Sequence, residues 1–105
     1  MIKHIVAWEF ADHAEGADKA TNVALAADAL RALPALIDGI VEFEVITQQP
    51  GLDNTFDLVI YSVFTDAKAL QAYAVHPEHL KVVALIGARR TSRACIDYDP
   101  AALGA

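Results

Sequence analysis

Apolar residues recur in this sequence with two different periods, and the order in which those periods alternate leaves the chain few topologies. Residues 2–10 alternate, which puts Ile2, His4, Val6, Trp8 and Phe10 on one face of an extended segment and Lys3, Ile5, Ala7 and Glu9 on the other. A polar break covers 11–16. From Ala17 the spacing turns helical, with Ala20, Val23, Ala27, Leu30 and Leu33 recurring at threes and fours and Asp18 placed where the helix dipole favours negative charge. Pro34 has no amide hydrogen to give a helix interior, so the helix is expected to end near Leu33 and give way to a connector reaching Gly39. Residues 40–47 alternate again, with Val41, Phe43, Val45 and Thr47 opposite Ile40, Glu42, Glu44 and Ile46. Turn formers over 49–54 separate this strand from a β-prone run over 56–64, and the two strands are expected to form a hairpin.

Thr65 or Asp66 can cap a second helix with Ala67, Leu70, Tyr73 and Ala74 on its apolar side. Pro77 divides that helix, because proline fits a first helical turn, and a restart carries Leu80, Val83, Leu85 and Ile86 to about Gly87. Finally, 91–98 alternate, Ser92, Ala94, Ile96 and Tyr98 against Arg93, Cys95 and Asp97, and Pro100 closes the strand. The order is β-α-β-β-α-β with the second helix broken at Pro77. That is the ferredoxin-like arrangement of the α+β class, with helices on one face of a four-stranded antiparallel sheet. The opposite face would carry mostly apolar residues to water. Two such sheets closing on each other would bury it, which predicts a homodimer of the dimeric α/β-barrel kind. A hydrophobic fraction of 55% in only 105 residues agrees with a partner surface. One domain over 1–100 is expected, with 101–105 a flexible tail.

Several classes fall away. No apolar run approaches the roughly 18 residues that cross a bilayer. The first residues carry no secretory leader and already alternate, so a cytoplasmic protein is expected. A net charge of −6 opposes capture of nucleic acid or anionic lipid. Arg89, Arg90 and Arg93 form the one local cluster of positive charge, and a solvated helix end beside a strand start accounts for it. The single cysteine, Cys95, excludes an internal disulfide and is expected to be a buried, unreactive thiol. No glycine-rich phosphate loop, nucleophile elbow or zinc-protease motif is present.

Three segments carry a resemblance. The opening Met1-Ile2-Lys3-His4-Ile5-Val6, the stretch Tyr73-Ala74-Val75-His76-Pro77-Glu78-His79, and the closing Ser92-Arg93-Ala94-Cys95-Ile96-Asp97-Tyr98 resemble, in order, the stress-responsive A/B-barrel (Dabb) family. The likeness extends to Tyr98, and Tyr-x-x-His-Pro-x-His is its specific signature. This resemblance implies a ferredoxin-like subunit in a β-barrel dimer. The family includes plant stress-associated proteins and polyketide cyclases resembling olivetolic acid cyclase. In the cyclising branch the resemblance implies Tyr73 and His79 as the catalytic pair, with His4 lining the pocket. Asp57 stands where the cyclase-like pattern carries another pocket histidine.

Those residue types suit cofactor-free proton transfer. A histidine can take a proton from an activated carbon, and a tyrosine hydroxyl can hydrogen-bond the oxyanion that develops. Tyr73 and His79 flank the Pro77 break, so a helix end and the next helix start could aim both into one pocket; His4, Trp8 and His76 are the expected ligand contacts. The same residues have a purely structural account, which outweighs catalysis: His76 and His79 can bond backbone at the break, and Tyr73, His4 and Trp8 can fill the core. His76 and His79 alone are too few for a zinc site, and no metal or cofactor is expected. Three readings result. The first is a homodimer binding a small apolar or polyketide-like ligand, with a cyclase or lyase step. The others are a non-enzymatic stress-associated dimer and a cofactor-free monooxygenase of the related dimeric α/β-barrel type.

Overall fold

The computed structural model describes residues 1–104. Strand β1 (Ile2–Phe10) leads through a small hairpin, β2 (His13–Ala14) and β3 (Ala17–Asp18), into helix α1 (Lys19–Arg31). After a 3-10 turn at Leu33–Ala35 come β4 (Ile40–Thr47), β5 (Leu58–Phe64), helices α2 (Ala67–Val75) and α3 (Pro77–Gly87), and β6 (Arg90–Tyr98). The long strands form one antiparallel sheet in the order β4-β5-β1-β6. This is the ferredoxin-like α+β fold. No helix among the described residues is long and apolar enough to cross a membrane.

The core lies between the helices and one face of the sheet. Val6, Trp8 and Phe10 from β1 and Leu58, Ile60 and Phe64 from β5 meet Ala26, Ala27 and Leu30 from α1, Tyr73 from α2, and Val82 and Ile86 from α3. Asp66 starts α2, its carboxylate accepting from the Ala69 amide at 2.8 Å. Asp18 does the same for α1, accepting from Thr21 at 2.9 Å, and that bond holds its carboxyl below the usual carboxylate range.

Local patterning fails at five places, each for an identifiable reason. The break over 11–16 contains a hairpin, turned by Glu15 and Gly16 with positive φ. Buried Asn22 holds it, donating to the Ala14 and Ala17 carbonyls while accepting from Arg89 Nε at 3.0 Å. This polar clamp takes the place expected for Ala20, which is exposed. In β4 a register shift leaves Val41 without a partner in the β5 ladder, so Ile40 packs on the core beside Phe43 and Val45 while Val41 is 45% exposed. On α3, Val82 and Ile86 face inward, and Leu80 and Val83, expected there, are about half exposed. The break at His76 gives α3 its own helical phase. Strand β5 begins at Leu58, because Phe56 and Asp57 belong to the preceding turn, where the Asp57 carboxylate accepts from the Phe10 amide at 2.7 Å. The expected fraying tail begins instead with a 3-10 turn at Pro100–Ala102, capped by Asp99; Ala105 lies outside the described residues.

Strand register places Ile5, Ala7, Val59, Tyr61, Ala94 and Ile96 together on the sheet face that the helices leave uncovered. Lys3, Glu42 and Glu44 lie toward its edges.

Candidate functional site

The helices do not fill the space above the sheet: they leave a cavity of about 660 Å³. Alternation along β1 sends His4, Val6 and Trp8 into it, and alternation along β6 sends Arg93, Cys95 and Asp97. From above, α2 contributes Leu70 and Tyr73, and α3 contributes His79, Val82 and Ile86.

His4 is buried and tightly held. Its register partners are Ser62 on β5 and Asp97 on β6, so all three side chains lie on one face. Ser62 Oγ donates to the His4 carbonyl at 2.7 Å. His4 Nδ1 is hydrogen-bonded to the Asp97 carboxylate. A carboxylate only accepts, so Nδ1 carries the proton of this bond. The ring meets Phe64 and Tyr73 edge-on, each at 6.1 Å between centroids.

Tyr73 is the largest fully buried side chain, packed 4.9 Å from Phe64 and 4.2 Å from His79 between ring centroids. Its hydroxyl is buried without a protein partner. Burial pushes the phenol far above its ordinary range, so the hydroxyl stays protonated and is a donor waiting for an acceptor. His79 Nδ1 lies 3.1 Å from the Ala74 carbonyl, which can only accept; Nδ1–H is therefore the donor and Nε2 is left basic. Burial lowers the His79 pKa below its ordinary 6.5, against the Ala74 bond that raises it, and His4, Arg93 and His76 push it down further. A neutral base and an unpartnered hydroxyl thus sit ring against ring in one apolar cavity.

Of the residues expected to meet a ligand, the structure brings Tyr73, His79, His4 and Trp8 together at this cavity. His76 is a correction. It is absent from the cavity lining, and its Nδ1 accepts from the Glu78 amide at 3.1 Å, capping α3. Cys95 is another: expected to be buried, it is exposed on the edge strand, where partial desolvation and the neighbouring Asp97 raise its thiol pKa and keep it protonated. Asp57 lies outside the cavity lining, tied to Phe10 and 3.6 Å from Lys19 Nζ.

Local sequence reasoning missed Asp97, Arg90 and Arg93 as cavity residues. Alternation did put Asp97 on one side with Cys95 and Arg93, but only pairing with β1 sets it against His4. His4, Cys95 and Asp97 each offer one possible metal-ligand atom within 4.8 Å of the others. The direct His4–Asp97 bond occupies Nδ1 and one oxygen of the carboxylate.

Comparison with known proteins follows the same lines. The sequence profile of the Stress responsive A/B Barrel Domain matches residues 2–100. A dimeric protein of unknown function and ferredoxin-like fold from Bacteroides fragilis superposes with a TM-score of 0.80 at 33% identity, covering 93% of this chain and 94% of its own. A Dabb family protein with a ferredoxin-like fold from Mesorhizobium loti gives 0.69 at 28% identity, over 94% and 95%. A dimeric ferredoxin-like protein of unknown function from Thermobifida fusca gives 0.78 at 21% identity, over 92% and 88%, and shares the fold. Among curated proteins none matches the chain.

Proposed function

The chain belongs to the stress-responsive A/B barrel family, and from that membership we propose that it works as a homodimer whose subunits hold a small apolar or polyketide-like ligand between helices and sheet and perform cofactor-free proton transfer on it. The observation that carries this reading is the Tyr73 hydroxyl, buried and unpartnered, on a ring packed against that of the basic His79. Buried polar groups without partners are rare and ask for an explanation; a ligand carbonyl would supply the missing acceptor.

In the proposed step His79 Nε2 removes a proton from a carbon next to a carbonyl. Tyr73 donates its hydrogen bond to the carbonyl oxygen as negative charge grows there. In an aldol-type cyclisation the carbanion then attacks a second carbonyl of the same molecule, and the new alkoxide takes the proton back from His79. A lyase step runs the bond change in reverse. His4, fixed by Asp97 and Ser62, shapes the wall beside the reacting group, and Trp8 covers the apolar portion.

The test follows turnover of a linear poly-β-ketone by NMR with the native protein and the His79→Ala variant. Loss by about a hundredfold or more is expected, as for removal of a general base, with sedimentation showing the assembly intact. Unchanged turnover would remove His79 from the mechanism. The non-enzymatic reading draws on the backbone bonds of His76 and His79 at the helix break: under it, His79→Ala lowers Tm while the native protein shows no turnover. Turnover that disappears under anaerobic conditions would favour a cofactor-free monooxygenase.

A further inference from the structure

We propose that the ligand of this cavity carries a carboxylate head, gripped by Arg90 and Arg93 at one end of β6. The inference rests on the binding reading above and adds the chemistry of what is bound. Residues three apart on a regular strand face opposite ways. Here Ser92 pairs with Glu9 but Arg90 pairs with Phe10, so Thr91 is an extra residue and the alternation resets across it. Arg93, opposite Trp8, and Arg90, opposite Phe10, therefore both lie on the helix-covered face, and both line the cavity. A bulge that re-aims a side chain beside a pocket is a recurring device of functional sites.

Charge placement sharpens the point. Acidic side chains outnumber basic ones, 14 to 8, and Lys19, Arg31 and Lys81 all sit beside carboxylates. Among the described residues neither Arg90 nor Arg93 makes such a pair. Arg89, their neighbour, is fully engaged, with Nε on Asn22 at 3.0 Å and a guanidinium nitrogen on the Leu85 carbonyl at 2.8 Å. The one acidic residue in the cavity lining, Asp97, is bonded to His4 and lies four residues along the strand from Arg93, about 13 Å away at strand spacing.

Two guanidinium groups at one end, with Trp8, Ile60, Val82 and Ile86 beyond them, form a polar grip continuous with an apolar chamber. Guanidinium forks match carboxylates in a bidentate geometry. The chamber's volume lies within the roughly 300–1,000 Å³ that small-molecule sites span. The occupant that satisfies both is an amphiphile with an acid head and an apolar body.

Calorimetric titration of the native protein at pH 8 with octanoate, octanol and octyl phosphate tests this. Octanoate is expected to bind about tenfold or more tightly than octanol, the margin of a charge-assisted grip. The double variant Arg90→Gln/Arg93→Gln should erase that margin and leave octanol affinity unchanged, which also reports an intact cavity. Equal affinities in the native protein, or a preference that survives the double substitution, would overturn the carboxylate assignment while sparing the apolar site. Binding of octyl phosphate alone would overturn it in favour of a phosphate ligand. If none of the three binds at millimolar concentration, the cavity reading itself falls and takes this one with it.

Discussion

At Tyr73 the packing and the polar chemistry pull in different directions. Its ring is held by Phe64 and His79, while its hydroxyl gains nothing from the protein around it. Removing that hydroxyl should therefore not destabilise the fold. Tyr73→Phe is expected to keep or raise stability, by about 1 kcal/mol if the desolvation of an unsatisfied group is relieved, and to lose turnover. Chemical denaturation compared with wild type checks it, and a clear destabilisation would mean the hydroxyl serves the fold. His79 makes a second residue-scale prediction. The folded protein holds it neutral to a lower pH than the unfolded chain, whose imidazole titrates near the ordinary 6.5. Protons therefore bind the unfolded chain preferentially below that pH, and stability should fall as pH drops through 6.5 toward the depressed folded value. Above 6.5 both states are neutral and the contribution vanishes. His79→Gln should flatten this part of a plot of stability against pH; a slope unchanged by the substitution would assign it to another group.

Among the elements, the junction between connector and sheet is the most constrained. Gly39, just before β4, has φ +89, and a Cβ there would stand 3.0 Å from Ala69 Cβ on α2. Its carbonyl also accepts from the Thr65 amide ahead of α2. Gly39→Ala thus meets a strained backbone and a crowded neighbour at once, and should cost about 1–2 kcal/mol or more of stability in urea unfolding. A neutral result would show that strand and helix can move apart locally. The break between α2 and α3 matters in a different way. Because α3 starts afresh at Pro77 under the His76 cap, it can turn His79 toward Tyr73 while Val82 and Ile86 seal the core below. One uninterrupted helix over the same residues would keep the phase of α2. The ring contact between Tyr73 and His79 depends on that interruption, and the bulge in β6 does the equivalent for Arg90 and Arg93.

For the whole molecule the uncovered sheet face dominates. Ile96 is 59% exposed in the single chain, and strand register groups it with Ile5, Ala7, Val59, Tyr61 and Ala94. An apolar face of this kind is stable in water when something covers it, and in the proposed homodimer a second copy of the chain would do so by two-fold symmetry. Ile96→Lys should shift the protein toward a monomer in sedimentation velocity at micromolar concentration, with reduced thermal stability. A native protein that sediments as a single subunit would defeat the homodimer proposal.

The sequence by itself determined the order of the long strands and helices, the break at Pro77 and the alternation that separates Arg93, Cys95 and Asp97 from Ser92, Ala94 and Ile96. Those features follow from local periods and from the chemistry of proline, which a chain expresses wherever it lies. It also put Tyr73, His79, His4 and Trp8 forward as candidates. Only the tertiary structure decided which of them meet. It set Asp97 against His4, turned His76 away to cap α3, left the Tyr73 hydroxyl alone, and used one extra residue in β6 to bring two arginines to the same side. Those outcomes rest on register and helix phase, which are fixed by partners distant along the chain and so cannot be read from neighbours in sequence.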